Sequence, residues 1–138
     1  MKEIYIATHG EMSVGMKDSL RLIAGESADV VTTYSLKPGG SAQELMSKIE
    51  ERLISHPERQ IIVLGDLYGA SIVNSMLSLV KYKNAVLLSG VNLSMALQVL
   101  LDGSEKISDE TIDFIIEESK MGIKRLAMLN DEVISEEF

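Results

Sequence analysis

Two kinds of hydrophobic pattern alternate along the chain. The first is a short run of consecutive apolar residues, rich in β-branched side chains, beginning with Ile4-Tyr5-Ile6-Ala7. A run that is apolar at every position, rather than at every second one, is typical of a strand covered on both faces of its sheet. Runs of this kind predict strands at about 3–8, 30–35, 60–65 and 84–88.

The segments between these runs have helical spacing. In 41–54 the apolar residues fall on one stripe and the charged residues on the opposite face, as in an amphipathic helix. The segment 109–121 repeats this pattern, and Ser108 and Asp109 are both suitable N-caps for it. Helices are therefore predicted at about 12–24, 41–55 and 71–81, with two more after the last strand.

Strands that alternate with helices predict an α/β fold. Right-handed crossovers would place the strands in a mostly parallel sheet between two helical layers, a three-layer sandwich. The flavodoxin-like strand order 2-1-3-4 is the one we expect. The predicted connections contain Gly10, Gly25, Pro38-Gly39-Gly40, Pro57, Gly69 and Gly103, in agreement with this division.

One segment does not fit a closed subunit. Residues 123–129 follow the last predicted helix and alternate between apolar residues and basic or small ones. This alternation predicts a C-terminal edge strand, and continuation of the helix is the alternative.

Length and composition are those of one compact domain: 138 residues, 46% hydrophobic and 25% charged. We expect a single domain over 1–138, with a core of about 1–130 and an acidic tail over 131–138. The absence of cysteine excludes disulfides and thiolate nucleophiles and suits a reducing compartment. The N-terminus shows neither a basic leader nor a long apolar stretch, so a cytoplasmic protein is expected.

Membrane and nucleic-acid functions are disfavoured. The most apolar region, 85–101, is interrupted by polar residues, whereas a spanning helix needs about 20 mostly apolar ones. The net charge of −8 argues against binding to a phosphate backbone, which requires a basic surface.

Candidate chemistry lies after the first and third predicted strands. Ligands of open parallel sheets bind beyond the carboxyl ends of the strands, where the strand order reverses, which here is between these two strands. His9 follows one strand and Asp66 the other, so both would reach the same rim. A carboxylate bonded to one imidazole nitrogen sets the tautomer and leaves the other nitrogen free to attack. His9 is thus a candidate nucleophile, and Asp66 would orient and stabilise its ring.

The surroundings of this pair favour an anion, because each rim segment precedes a predicted helix. Candidate phosphate-binding residues are glycines that allow close approach of the backbone and hydroxyl donors near the helix starts: Gly10, Ser13, Gly69, Ala70 and Ser71.

Other interpretations stay open on the residues alone. His9 could be a packing residue, and Asp66 could be a helix cap. His56, before Pro57, is interpreted as a solvated loop residue. Nucleotide-binding fingerprints, metal-ligand spacing and a hydrolase elbow are all absent from the sequence, so no cofactor or metal is expected.

The chain resembles the IIA domain of the mannose-type (mannose/fructose/sorbose) branch of the bacterial phosphoenolpyruvate:sugar phosphotransferase system. The resemblance covers nearly the whole chain and rests on three stretches: Ile6-Ala7-Thr8-His9-Gly10, Gly65-Asp66-Leu67-Tyr68-Gly69-Ala70-Ser71 and Gly90-Val91-Asn92-Leu93-Ser94-Met95.

The resemblance implies a phosphoryl carrier. His9 would accept phosphate from the phosphocarrier protein HPr and pass it to the cognate IIB component for sugar uptake, and Asp66 would hydrogen-bond the imidazole. It also implies a homodimer that exchanges a C-terminal strand, which would account for 123–129, and contact with the membrane only through the IIC/IID permease.

The sequence departs from the family pattern at two places. Gly69-Ala70-Ser71-Ile72 stands where Gly-Gly-Ser-Pro is usual, and Ser94 where proline is common. These departures bear on the phosphate contacts more than on the histidine chemistry. Three alternative functions remain: a dihydroxyacetone kinase relay with the same histidine, a receiver-like domain phosphorylated on Asp66, and a flavin-binding module.

Overall fold

The computed structural model describes residues 2–67 and 70–128. Strands and helices alternate through this part of the chain. In order they are β1 (Lys2–His9), α1 (Met12–Ala24), β2 (Val31–Leu36), α2 (Ala42–Ser55), β3 (Gln60–Gly65), α3 (Ser71–Met76), β4 (Ala85–Leu88), α4 (Leu93–Leu101) and α5 (Asp109–Met121). Two 3₁₀ segments, Gly25–Val30 and Leu77–Leu79, follow α1 and α3.

The predicted sheet is confirmed. The strand order is β2-β1-β3-β4, and all three pairs of neighbouring strands are parallel. In register, Ala7 of β1 pairs with Gly65 of β3 and with Tyr34 of β2. The carboxyl ends of the three strands therefore lie side by side.

Hydrophobic cores cover both faces of the sheet. Ile4 and Ile6 of β1 and Ile62 of β3 pack with α1, α4 and α5. Ala7 and Val63 point the other way and pack with α2 and α3. β3 is buried at every position, which explains its unbroken apolar sequence.

The helix predicted over 71–81 is shorter in the structure. The hydroxyl of Ser75 donates to the carbonyl of Ser71 at 2.8 Å, and that of Ser78 donates to the carbonyl of Ser75 at 2.9 Å. Hydroxyls that bond to carbonyls of the preceding turn compete with the helical pattern and bend the helix. The α-helix accordingly gives way to 3₁₀ geometry after Met76.

The C-terminal segment differs from both expectations. α5 ends at Met121, so helix continuation is wrong, and 123–128 forms no strand within a single chain. Ile123 and Leu126 are 80% and 84% exposed. Within the described residues β4 thus remains at the edge of the sheet. Leu129 and the tail 131–138 lie outside the described residues.

Candidate functional site

The candidate site lies at the carboxyl end of the two central strands. β1 and β3 are neighbours, and the pairing of Ala7 with Gly65 brings the next residues of both strands to one rim. This is the point at which the strand order reverses, where ligands of open α/β sheets bind.

The structure brings His9 and Asp66 into direct contact. Asp66 Oδ2 lies 2.8 Å from His9 Nδ1 and also accepts the backbone N–H of His9 at 2.8 Å. The other carboxylate oxygen, Oδ1, accepts the backbone N–H of Leu67 at 2.9 Å. The Asp66 side chain is 10% exposed, whereas that of His9 is 47% exposed. One carboxylate therefore holds both the main chain and the ring of an accessible histidine.

The pKa of the Asp66 carboxyl reflects two opposing influences. Burial is the largest of them and raises the pKa, but the hydrogen bonds and charge of His9 and the Leu67 amide outweigh it and lower the pKa below its ordinary value. The group is therefore an ionised acceptor near neutral pH. Because a carboxylate only accepts, His9 Nδ1 carries the proton in this pair, and the neutral ring keeps its lone pair on Nε2.

The turn between β1 and α1 is bonded to its neighbours. The Gly10 N–H donates to the Leu36 carbonyl at 2.8 Å. Gly10 has φ +56°, a left-handed conformation that favours glycine, and open space where a Cβ would stand, so a ligand could approach its backbone closely.

Ser13 differs from its predicted role as a phosphate donor. The residue is fully buried, and its hydroxyl donates to the Tyr34 carbonyl of β2 at 3.0 Å. The sequence places Ser13 near the start of a helix, but which way the hydroxyl points depends on how α1 packs on β2. The structure thus uses this hydroxyl inside the fold.

Two predicted phosphate-binding residues, Ala70 and Ser71, lie where α3 begins after β3. Ala70 is the N-cap of α3, has no side-chain cap bond, and donates its N–H to the Leu67 carbonyl at 3.1 Å. Ser71 is the first residue of α3 and is exposed on the same rim as Asp66. Gly69, the remaining predicted phosphate-binding residue, lies outside the described residues.

Two contacts of Gly65, the residue before Asp66, are not among the sequence predictions. A Cβ on Gly65 would lie 2.8 Å from Val73 Cγ2 and 2.9 Å from Met76 Sδ, so glycine lets α3 pack against the end of β3. The Val91 N–H, after Gly90 at φ +74°, donates to the Gly65 carbonyl at 2.9 Å. The first contact could have been predicted from the glycine directly before Asp66. The second joins segments that are distant in the sequence, and no local pattern indicates it.

The remaining candidate groups lie elsewhere or are absent from the described chain. His56 is the C-cap of α2, with Nδ1 3.5 Å from Glu58, in the connection that precedes β3. Residues 2–67 and 70–128 contain no group of three or more His, Asp or Glu side chains placed to hold a metal. Over the same residues, none of the helices has the length and apolar character needed to cross a bilayer.

Comparison with known proteins identifies relatives. Residues 3–116 match the family model described as the PTS system fructose IIA component, PTS denoting the phosphotransferase system. The chain is 28% identical to the "PTS system fructose-specific EIIA component" of Bacillus subtilis (strain 168), over 72% of this chain and 69% of that protein.

Solved structures of similar fold include two components of phosphotransferase systems. The component EIIA from Streptococcus agalactiae superposes with a TM-score of 0.77 and 32% identity, covering 91% of this chain and 97% of that one. The mannose/sorbose-specific IIA subunit from Enterococcus faecalis gives 0.78 and 23% identity, with 94% and 98% coverage. The second likeness shows the fold alone.

Proposed function

We propose that this chain, which belongs to the family of fructose- and mannose-type IIA components of the phosphotransferase system, carries a phosphoryl group on Nε2 of His9. Phospho-HPr would be the donor and the cognate IIB component the acceptor. The observation that carries this proposal is the half-exposed His9 ring whose Nδ1 is held by the Asp66 carboxylate at 2.8 Å. That contact leaves the second ring nitrogen as the nucleophile.

The transfer moves a phosphoryl group between two nitrogens. The Nε2 lone pair forms a bond to phosphorus while the donor's N–P bond breaks, and that electron pair returns to the donor imidazole. The positive charge that develops on the His9 ring is stabilised by Asp66 through the Nδ1–H bond. Delivery to IIB is the same step in reverse, with His9 as the leaving group.

The phosphoryl oxygens would be received by the rim around His9. Gly10 offers open space beside its backbone, and Ser71 offers an exposed hydroxyl next to Ala70. Gly69 belongs to the same proposed group through its place in the sequence. Ser13 is left out, because its hydroxyl is buried against β2.

Dimerisation through an exchanged strand is part of the same proposal. Pockets of about 400 Å³ and about 150 Å³ share Leu87, Leu88 and Ser89, so both lie along the β4 edge. A strand pairs with an open edge by main-chain bonds and places alternate side chains to either side. Segment 123–128 of a second copy, with its exposed apolar residues, suits that edge.

Sedimentation equilibrium should give a dimer for the full chain and a monomer after removal of 123–138; a monomeric full chain would exclude the exchange.

The phosphorylation experiment uses phosphoenolpyruvate, enzyme I and HPr with the purified chain. Wild type and the control His56→Ala should each take up phosphate that is labile in acid and stable in alkali, and mapping should place it on His9. His9→Ala should take up none. Label on His9→Ala, or acid-stable label at Asp66, would refute the proposal; the latter is the result expected of a receiver-like domain.

A further inference from the structure

Two hydroxyl side chains on either side of the His9 turn are completely buried. Thr8 and Ser13 both have 0% exposure; Gln60 and Ser119 are the other buried polar residues of the part of the chain described. We infer that Thr8 and Ser13 are positioning residues, which hold the His9 main chain where its ring meets Asp66. The inference rests on the proposed function of His9 and adds two residues to it.

The two hydroxyls join three elements, β1, α1 and β2. Thr8 Oγ1, at the end of β1, accepts the Ser13 N–H at 2.8 Å. Ser13 Oγ, in the first turn of α1, donates to the Tyr34 carbonyl of β2 at 3.0 Å. Glu11 is the N-cap of α1 and makes no side-chain cap bond, so Thr8 satisfies a first-turn amide from outside the helix.

Packing alone does not require the hydroxyl of Thr8. Valine has the shape of threonine, forms strands as readily and buries a methyl group where threonine buries a hydroxyl. At a fully buried position of β1 it would serve the core at least as well. The hydroxyl of Thr8 is therefore explained by its bond to Ser13, and not by the strand.

The hydrogen bonds of the turn connect Thr8 and Ser13 to the position of the His9 ring. The His9 N–H is held by Asp66, and the Gly10 N–H by the Leu36 carbonyl. Thr8 and Ser13, which flank this turn in the sequence, hold the start of α1 to β1 and β2. If the start of α1 moves, His9 moves with it and the bond from Nδ1 to Asp66 is misaligned. Phosphoryl transfer depends on alignment, and a displacement of about 1 Å can reduce a rate by about 100-fold.

The test compares Thr8→Val and Ser13→Ala with the matched control Gln60→Leu. Gln60 Oε1 accepts the Ile107 N–H at 2.8 Å, as Thr8 accepts that of Ser13, but it lies at the opposite end of the sheet. The readouts are kcat and KM for phospho-HPr, thermal stability, and ¹⁵N NMR of the unphosphorylated His9 ring, which reports the tautomer and its titration.

We expect both site variants to lower kcat by about tenfold with KM for phospho-HPr nearly unchanged, and to reduce the population of the Nδ1–H tautomer. Gln60→Leu should lower the melting temperature and change neither quantity. Unchanged kcat and tautomer in both site variants would overturn the inference. So would an equal fall of kcat in Gln60→Leu at the same loss of stability.

A further variant covers a failure to fold. Thr8→Ser keeps the hydroxyl and removes the methyl group, so it should keep kcat at reduced stability; a tenfold loss there would show that the hydroxyl is not responsible. A wild-type chain that takes up no phosphate would refute the proposed function instead. The tautomer measurement would then still decide whether Thr8 and Ser13 position the ring.

Discussion

At each end of strand β1 a carboxylate is bonded to basic side chains. The carboxylate at the amino end belongs to Glu3 of the strand itself, and the one at the carboxyl end belongs to Asp66, which follows β3. At the amino end Glu3 accepts Arg52 Nε and Nη2 at 2.5 and 2.6 Å, and Arg59 Nη1 at 3.0 Å. At the carboxyl end Asp66 contacts His9 at 2.8 Å. The Glu3 and Asp66 side chains are similarly enclosed, at 16% and 10% exposure. The difference lies in the partner.

Arginine and histidine give the two groups different capacities. A guanidinium is always protonated and has no lone pair to offer, so the Glu3 group can only stabilise the fold. Hydrogen bonding to Arg52 is the main cause that lowers the pKa of Glu3 to about 2, and burial and the Glu3 charge raise the pKa of Tyr5 to about 12. The imidazole of His9 has a second nitrogen that remains free. A fixed carboxylate can support a reactive group only when its partner keeps an unused, accessible atom, and of these two partners only histidine does.

Asp66→Asn is expected to have the largest effect on phosphate uptake. The amide cannot accept from both His9 N–H groups and from Leu67, because one of its two ends is a donor. The ring loses its fixed tautomer, and phosphate uptake from phospho-HPr should slow by about 100-fold, or about 2.7 kcal/mol. Single-turnover kinetics measures this rate. An unchanged rate would leave Asp66 as a turn residue only.

Glu3→Gln makes the same chemical change at the other end of β1 and should give the opposite result. Phosphate uptake should be unchanged, while the free energy of unfolding at pH 7 should fall by about 2 kcal/mol, allowing for the partial exposure of both arginines.

The pH dependence of this loss follows from the lowered pKa of Glu3. Its contribution is complete above its ordinary pKa of 4.5 and disappears as the pH falls toward about 2. Urea denaturation at pH 7 and pH 3 should therefore show a smaller difference between variant and wild type at pH 3. A difference that does not change with pH would exclude ionisation of Glu3 as its source.

Ser71→Ala should have the smallest effect. The exposed hydroxyl is proposed to bond a phosphoryl oxygen, and its loss should slow uptake by about fivefold, or about 1 kcal/mol, with stability unchanged. Ser78→Ala, in the 3₁₀ segment after α3, is the matched control, because its hydroxyl bonds to the Ser75 carbonyl of α3. Equal rates for the two variants would remove Ser71 from the phosphate site.

Local sequence patterns account for much of the fold. Consecutive apolar residues and helical spacing are local patterns, and they placed α1 at 12–24 and β3 at 60–65 as the structure has them. The rules for parallel sheets then indicated the strand order, and with it the meeting of His9 and Asp66 at one rim. These predictions hold because the end of a strand follows from local sequence, and because the handedness of a crossover between parallel strands is nearly always the same.

The direction in which an individual polar group points depends on how the elements pack against one another. Ser13 turns toward β2, and Glu3 meets Arg52 across 49 residues of chain. Segment 123–128 forms no strand within one chain, although its alternating pattern is typical of an edge strand. Periodicity specifies which residues are buried, whereas hydrogen-bond partners depend on how the packed elements are placed to within about an ångström.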